Sequence, residues 1–209
     1  MRIISPGFEF IQKPDREQIL RNLEYIGRVC YKSEDKITPD SAAKFVSILI
    51  KNGHESVIEH EKITVKITCD RGVSHEIVRH RLASYSQEST RYCNYNKDKF
   101  GNELTFIRPY FWNDDPDKYT VWEQIMAQIE SAYLKLIETG AAPDEARTVL
   151  PNSLKTEIVM TMNLREWRHF FILRTSPKAH SQMREITIPM LKAFREAIPV
   201  IFNDITVSE

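Results

Sequence analysis

The chain has 209 residues, a length typical of one large domain or of two small ones. Lys and Arg total 29, as do Asp and Glu, so the formal net charge is zero and nothing indicates binding to nucleic acid through a strongly basic surface. With 42% hydrophobic and 28% charged residues, the composition excludes a wholly disordered chain and is sufficient for a sizeable core.

Neither a membrane segment nor a disulfide framework is expected. The first ten residues contain no apolar stretch of signal-peptide length, and the longest apolar run, Phe45–Ile50, is far shorter than the roughly 20 residues that span a bilayer. We therefore expect a cytoplasmic protein without a membrane partner. Cys30, Cys69 and Cys93 form no C-x-x-C pair, which disfavours both disulfides and a zinc ribbon.

The first sixty residues predict one strand and two helices. The strand covers Ile3–Gln12 and is bounded by prolines. Asp15 and Gln18 resemble a capping box, and the apolar residues that follow recur at helical spacing. A second helix is predicted over Pro39–Lys51, with Thr38 as its cap and Asn-Gly as its stop.

Further along the chain, two strands precede a helical half. Ile63–Ile67 alternates apolar and polar residues, and Leu104–Ile107 is a short apolar run that ends near a proline. Helices are then predicted over Asp117–Thr139, over a short segment that begins at Pro143, after Asn163, and from about residue 178 to 202 with a kink or division at Pro189. The buried face of the first of these helices is expected to include Val121, Trp122, Ile125, Ile129, Tyr133 and Leu136.

These elements predict a single α+β domain over residues 1–209. Its sheet should be mostly antiparallel and packed against helices, and its C-terminal half should be helical. No repeat, low-complexity run or linker divides the sequence.

Phosphate binding, if present, must depend on side chains. The six glycines form neither a G-x-G-x-x-G turn nor a Walker loop. Arginine suits this task because its planar guanidinium donates to two phosphate oxygens at once. The densest arginine cluster is the segment RHRLASYSQESTRY at residues 79–92. It is either a solvated surface loop or a binding loop held by the apolar residues before it.

The spacing within this segment resembles that of the flavin-dependent thymidylate synthases. The pattern R-H-R-x-x-S-x-x-x-x-S-x-R is met by Arg79, His80, Arg81, Ser84, Ser89 and Arg91. The resemblance extends over nearly the whole chain, because residues 53–60 are similar to the family's G-H-x-S/T-x-x-E-H segment. Arg147 in ARTVLP, Asn163 in TMNLREW and Arg174 in ILRTSPKAHSQMRE also match.

The resemblance implies an enzyme that methylates deoxyuridine monophosphate (dUMP) to the thymidine nucleotide (dTMP). Methylenetetrahydrofolate would give the carbon, NADPH the hydride, and FAD would relay that hydride. It further implies a homotetramer whose sites form between subunits.

The same resemblance implies two sets of site residues and one catalytic residue. The FAD-binding positions are Ser56, Glu59, Arg79, His80, Arg81, Asn163 and His169. The dUMP-binding positions are Glu76, Gln87, Ser89, Arg91, Arg147 and Arg174. Arg174 is also the implied catalytic residue, since a fixed cation stabilises charge that develops on the pyrimidine.

Several of these positions carry a second interpretation. Other members often have Asn in place of His169 and Glu in place of Gln87. A carboxylate only accepts hydrogen bonds, whereas an amide can donate or accept, so which of the two Gln87 does toward the nucleotide stays open. Arg174 is also a basic residue at a helix C-terminus, and Asn163 also a helix cap. The roles of His54 and His60 stay open.

Two other classes of protein are weighed against the enzyme. A zinc hydrolase would need two histidines four residues apart on one helical face, and none of the histidine pairs near residues 54–60 or 75–80 has that spacing, so no metal is predicted. An RNA-binding module would use the arginines and tyrosines of residues 79–95, but the zero net charge and the lack of an RNP-like motif disfavour it.

No cysteine is expected to act as a nucleophile. Cys30 and Cys69 are predicted to be buried and inert. Cys93 is the most serious candidate, because Arg91 lies two residues away and would lower the pKa of its thiol.

Overall fold

The computed structural model of the chain describes residues 1–207. Within this range it has the α+β composition that the sequence predicts, with an open antiparallel sheet and many helices. The strands are β1 (Arg2–Ile4), β2 (Gly7–Phe10), β3 (Lys62–Asp70), β4 (Ala83–Gln87), β5 (Thr105–Ile107) and β6 (Lys155–Asn163). The helices are α1 (Arg16–Val29), α2 (Ser41–Lys51), α3 (Arg71–Ile77), α4 (Pro116–Glu138), α5 (Pro143–Ala146), α6 (Leu164–Arg174), α7 (Ser181–Ala197) and α8 (Pro199–Phe202).

The strands form two sheets. The larger sheet has the order β2-β3-β6-β4, and β1 pairs in parallel with β5, with Ile3 opposite Phe106. The prediction of one strand over Ile3–Gln12 is therefore wrong, because Pro6, which has no N–H to donate, separates two strands that join different sheets. Helix α3 and strands β4 and β6 have no counterpart among the predicted elements, and β6 lies in the half expected to be helical.

The chain folds as two compact units that each contain separate stretches of sequence. The first unit contains Met1–Gly7, Ile67–Arg79 and Tyr85–Val159. The second contains Phe8–Lys66, His80–Ser84 and the described residues from Met160 onward. Strands β3, β4 and β6 each contain residues of both units. That residues 1–209 are one domain stays a prediction.

The core of the first unit is a cluster of aromatic and aliphatic side chains around α4. Trp122, Met126 and Tyr133 of this helix are buried, and Trp122 Nε1 donates to Ser153 Oγ across 3.1 Å. Val121 and Ile125, which the sequence analysis placed on the buried face, are exposed. The buried stripe of α4 is thus narrower than its apolar sequence predicts.

The core of the second unit is aromatic. Trp167, Phe170 and Phe171 of α6 are fully buried, and Trp167 and Phe171 pack against Phe194 with ring centroids 4.8 and 4.9 Å away. Trp167 Nε1 donates to the carbonyl of Ile63 across 3.1 Å. Such rings bury 150–250 Å² each, so they supply most of the hydrophobic stabilisation of α6, at about 25 cal/mol per Å².

Helix ends agree with the predicted caps in most places. Asp15 accepts a hydrogen bond from Gln18 N at 3.0 Å, as the capping pattern predicts. Helix α2 begins at Ser41 rather than at residue 39, so its N-cap is Asp40 and not Thr38, whose N–H donates to Ser41 Oγ. In α1, a Cβ at Gly27 would lie 2.7 Å from the ring of Phe45, so glycine permits the close approach of α1 and α2.

Pro189 does not divide the last long helix. Helix α7 continues through Pro189, and the break comes at Ile198, immediately before Pro199. Ile198 has φ −138° and ψ 71°, outside the helical region that a following proline disfavours. The predicted division was therefore assigned to the wrong proline.

Candidate active site

Helix α6 presents its polar face to an open cavity of about 610 Å³ in the second unit. Its first turn begins at Asn163, whose side chain accepts from Glu166 N at 2.8 Å, as the sequence predicts. Because the aromatic face of α6 is buried, the opposite face is left to line the cavity. The cavity is lined by Glu55, Glu59, Leu82, Asn163, Arg165, Glu166, Arg168, His169 and Ile172.

The cavity combines polar groups with two exposed apolar side chains. Leu82 is 72% exposed and Ile172 is 58% exposed, so both side chains offer apolar surface to a ligand. Asn163 and His169 supply polar groups beside them, and Glu59 pairs with Arg165 at 2.6 Å. Three predicted FAD-binding residues therefore share this cavity.

His80 is the buried centre of a polar chain in the same unit. It is 5% exposed, its Nε2 accepts from Arg174 Nε across 3.0 Å, and its Nδ1 lies 3.4 Å from Glu166 Oε1. Its ring packs edge-to-face with that of Phe170, with centroids 4.9 Å apart. Since Nε2 is an acceptor, the proton of the neutral ring lies on Nδ1, which points to Glu166.

This environment keeps His80 neutral. Burial, followed by the positive charge of Arg174 and of His169, lowers the pKa of His80 from 6.5 to about 4. Burial also raises the pKa of Glu166, against an opposing effect of His169. His80 was predicted from the resemblance as a flavin contact, and the contact with Arg174, 94 residues away, has no signal in the sequence.

His80, Glu166 and His169 also offer ligand atoms within 4.8 Å of one another, which is close enough for a metal ion. One ring nitrogen of His80 already accepts a hydrogen bond from the guanidinium of Arg174. The positive charge of that guanidinium would repel a metal ion bound beside it. We therefore assign the cluster to hydrogen bonding.

Ser56 lies in a neighbouring cavity of about 390 Å³. This cavity shares Glu55 and Arg165 with the larger one, and is also lined by Cys30 and His54. His60 lines neither of the two cavities, and it ends the short 3-10 turn that follows Ser56.

Arg168 is a buried residue that the sequence analysis did not identify. Its side chain donates to Glu55 Oε1 at 3.0 Å and forms two 2.7 Å hydrogen bonds with the carboxylate of Asp204. It also donates to the carbonyl of Ile201. Its hydrogen bonds lower the pKa of Asp204. Arg168 thereby ties the C-terminal segment to the wall of the cavity.

Most of the predicted nucleotide residues of the first unit lie on α3 or at the end of β4, whereas Arg147 begins the 3-10 turn that follows α5. Gln87 Nε2 donates to Ser74 Oγ at 2.9 Å and to Thr156 Oγ1 at 3.2 Å. Ser74 Oγ in turn donates to the carbonyl of Arg71, so it accepts from the amide of Gln87. The NH₂ of Gln87 is therefore anchored to the protein, and its side-chain oxygen has no hydrogen-bond donor among residues 1–207.

The loop after β4 turns tightly around Ser89. Its hydroxyl accepts from Arg91 N at 3.3 Å, and its carbonyl accepts from the N–H groups of Tyr92 and Cys93 at 3.1 and 2.9 Å. The guanidinium of Arg91 lies over the ring of Tyr92, 5.3 Å from the centroid. This turn presents a hydroxyl and a cation from positions two residues apart.

Four of the predicted phosphate-binding arginines are exposed and have no acidic partner. Across the part of the chain that the structure describes, the side chains of Arg79, Arg81, Arg91 and Arg147 form no ion pair with a carboxylate. Arg168, by contrast, is fully paired. Free guanidinium groups of this kind are available to an anionic ligand.

Comparison with known proteins gives one consistent result. Residues 14–200 match the family described as Thymidylate synthase complementing protein. Curated relatives bear the name flavin-dependent thymidylate synthase. The protein of Pyrococcus furiosus is 37% identical over 171 residues, which are 81% of this chain and 69% of the relative. The protein of Geobacter sulfurreducens is 35% identical over 184 residues, or 85% and 78% of the two chains.

A more divergent relative from Mycobacterium avium is 32% identical over 204 residues, which are 89% of this chain and 79% of the relative. The chain belongs to the flavin-dependent thymidylate synthase family. The resemblance that was drawn from the arginine pattern and the segments around it is thereby confirmed.

With the family established, the predicted site residues can be assigned to the two units by sequence. Those expected to bind the nucleotide lie in the first unit, apart from Arg174: Glu76, Gln87, Ser89, Arg91 and Arg147. Those expected to bind FAD lie in the second, apart from Arg79: Ser56, Glu59, His80, Arg81, Asn163 and His169. The roles themselves stay predictions.

The cysteines differ from expectation in two respects. Cys69 is buried, as predicted, but Cys30 is exposed. The pKa of the half-buried Cys93 thiol is raised, chiefly by burial and then by the carboxylate of Glu88, whereas proximity in sequence to Arg91 had predicted a lowered pKa.

Regarding membranes, residues 1–207 include no helix with both the length and the apolar character needed to cross a bilayer.

Proposed function

We propose that the chain catalyses the FAD-dependent reductive methylation of dUMP to dTMP, with 5,10-methylenetetrahydrofolate as carbon donor and NADPH as reductant. Membership of the family and the names of its curated relatives support this proposal. The observation that carries it in the structure is a set of exposed arginines that have no acidic partner among residues 1–207, namely Arg79, Arg81, Arg91 and Arg147. Both FAD and dUMP are phosphate esters, and the chain has no glycine-rich loop to bind them.

The residues around the larger cavity suit a flavin. Exposed Leu82 and Ile172 offer apolar contact to a flat ring system, and Asn163 and His169 offer hydrogen bonds at its edge. Arg81 would bind phosphate oxygens of the same cofactor. When bound, a flavin supplies hydride transfer between NADPH and the one-carbon unit.

Among the residues proposed to bind dUMP, the structure favours Gln87 as a hydrogen-bond acceptor. Its NH₂ is held by Ser74 and Thr156, so the side-chain oxygen is the atom left to meet an N–H or O–H of dUMP. Ser89 and Arg91 would bind the phosphate through a hydroxyl and a guanidinium. Glu76 and Arg147 complete the proposed set.

We assign the catalytic role to Arg174. Its Nε is fixed on neutral His80, and Thr187 Oγ1 donates to its carbonyl across 2.9 Å. A guanidinium held in place without reorganising stabilises negative charge that develops on the pyrimidine ring as C5 becomes nucleophilic. The raised pKa of Cys93 disfavours a thiolate nucleophile, so no covalent enzyme intermediate is assigned.

The proposal includes a homotetramer with sites formed between subunits, and a cytoplasmic location. The homotetramer follows from the family and is to be measured by sedimentation. The cytoplasmic location follows from the apolar pattern of the sequence and is to be measured by fractionation.

Spectroscopy and an assay test the proposal. A purified sample should show visible flavin absorption and should oxidise NADPH in a manner that depends on dUMP. A zinc hydrolase or an RNA-binding module would be colourless and would not respond to dUMP. A colourless protein that cannot be reconstituted with FAD would contradict the proposed function.

A further inference from the structure

The loop that follows β4 is held at both of its ends by one polar network in the first unit. Tyr95 Oη donates to Glu88 Oε1 across 2.9 Å, and Lys155 Nζ donates to Glu88 Oε2 across 3.0 Å. Lys155 also pairs with Glu157 at 3.0 Å, and the backbone carbonyl of Glu157 accepts from Glu88 N at 2.9 Å. We call the three side chains of Glu88, Tyr95 and Lys155 the loop clasp.

The loop clasp is largely buried, and its three residues line one side of an open cavity of about 430 Å³. Tyr95 is 6% exposed, and its ring packs against Phe100 and Tyr133 with centroids 5.2 and 5.8 Å away. The side chains of Glu88 and Lys155 are 13% and 20% exposed. Buried hydrogen bonds to a charged acceptor are among the stronger ones in proteins.

The protonation states that the clasp needs are stable at neutral pH. Burial, and then the carboxylate of Glu88, raise the pKa of Tyr95, so its hydroxyl remains a donor. Burial opposes the charge of Lys155, but its hydrogen bonds to Glu88 and Glu157 outweigh this effect and raise its pKa.

The residues between the two ends are the ones that bind phosphate in the proposed function. Within the turn, Ser89 is bonded only to the backbone of the residues that follow it, and Arg91 has no acidic partner in the described chain. The positions of the hydroxyl and the guanidinium therefore depend on the shape of the turn, within which the guanidinium also packs over the ring of Tyr92. That shape depends on where Glu88 and Tyr95 are held.

We propose that Glu88, Tyr95 and Lys155 are positioning residues that hold the loop of Ser89 and Arg91 in the shape that binds the nucleotide phosphate. This inference rests on the proposed function. The clasp residues need not touch the ligand, and their effect should be confined to ligands that carry the phosphate. A merely structural role would instead lower stability without discriminating between ligands.

The test compares dUMP with deoxyuridine, which lacks the phosphate, on the flavin-loaded protein. Tyr95→Phe removes one hydroxyl and should weaken dUMP binding about tenfold, which corresponds to about 1.4 kcal/mol. Glu88→Gln keeps an acceptor for Tyr95 Oη and should weaken dUMP binding by about threefold. The affinity for deoxyuridine and kcat at saturating dUMP should change less than about twofold. Tyr119→Phe, a half-buried tyrosine elsewhere in the unit, is the matched control.

Three results would overturn the inference. The first is wild-type affinity for dUMP in both clasp variants. The second is equal weakening of dUMP and deoxyuridine, which would indicate a general loss of structure that thermal melting would also report. If Tyr95→Phe does not fold, unchanged dUMP affinity in Glu88→Gln is sufficient to reject the clasp. Failure of the wild-type protein to bind dUMP is a separate result, because it would contradict the proposed function itself.

Discussion

Arg174 Nε donates a hydrogen bond to His80 Nε2 across 3.0 Å, and this contact joins the last residue of α6 to the middle residue of the R-H-R segment. The imidazole can accept only while it is neutral. Burial and the adjacent guanidinium both favour that neutral state. The two residues thus support each other: His80 fixes the cation, and the cation keeps His80 unprotonated.

The contact predicts a dependence of stability on pH. The pKa of His80 is about 4 in the folded chain against 6.5 ordinarily, so between these values the unfolded chain binds a proton that the folded chain excludes. The contribution of His80 to stability is therefore present above pH 6.5 and is lost as the pH falls toward 4, with a total on the order of 3 kcal/mol. Urea unfolding at several pH values should show that the free energy of unfolding falls more steeply with decreasing pH in the wild-type protein than in His80→Gln. Parallel curves would contradict the assignment.

Replacement of the predicted flavin arginines should affect the cofactor without affecting the fold. Arg79→Ala and Arg81→Ala each remove an exposed guanidinium that has no acidic partner in the described chain, so the melting temperature should change little. Visible absorption after gel filtration should show that flavin is lost. Arg21→Ala, on the exposed face of α1, is the matched control and should retain flavin. Retention of FAD at wild-type affinity in both variants would reject the assignment.

Catalysis should depend on Arg174 and not on a cysteine. Arg174→Ala should lower the rate of dTMP formation by about 100-fold or more, as expected when a group that stabilises developing charge is removed. Cys30→Ala, Cys69→Ala and Cys93→Ala should each stay within a few-fold of the wild-type rate, apart from effects on stability at buried Cys69. A loss at Cys93→Ala as large as that at Arg174→Ala, with ligand binding intact, would refute a mechanism without a cysteine nucleophile.

Arg168 and Arg165 provide a matched pair for the wall of the cavity. Both lie on α6 and both pair with Glu55, but the side chain of Arg168 is 8% exposed whereas that of Arg165 is 53% exposed. Arg168→Ala leaves Glu55 and Asp204 without their buried partner and should cost about 3 kcal/mol of unfolding free energy. Arg165→Ala removes exposed ion pairs with Glu59 and Glu55 and should leave the free energy of unfolding nearly unchanged. Equal losses of unfolding free energy in the two variants would show that Arg168 does not hold the C-terminal segment to the wall of the cavity.

The sequence predicts elements well where the cause is local. Asp15 and Asn163 each bond to the N–H three residues later, and a short polar side chain before an apolar helix is a signal within one turn. Strand β6 is a different case. Its burial alternates over Thr156, Ile158, Met160 and Met162, a period that the sequence contains but that the expectation of a helical C-terminal half obscured.

Other features have no local cause and could not be predicted. The side chain of His80 meets Arg174 across 94 residues, and Arg168 meets Glu55 across 113. Helix α7 passes through Pro189 because tertiary packing of Met190 and Phe194, which are both fully buried, outweighs a missing backbone donor. Such contacts follow from the fold as a whole.

The most direct test of the central claim is a measurement of dTMP formed from dUMP by the purified protein, with each component omitted in turn. The account predicts visible flavin absorption and dTMP only when FAD, NADPH, methylenetetrahydrofolate and dUMP are all present, with activity lost in Arg81→Ala and Arg174→Ala. Formation of dTMP without flavin, or no dTMP from a flavin-loaded protein that is given all its substrates, would contradict it.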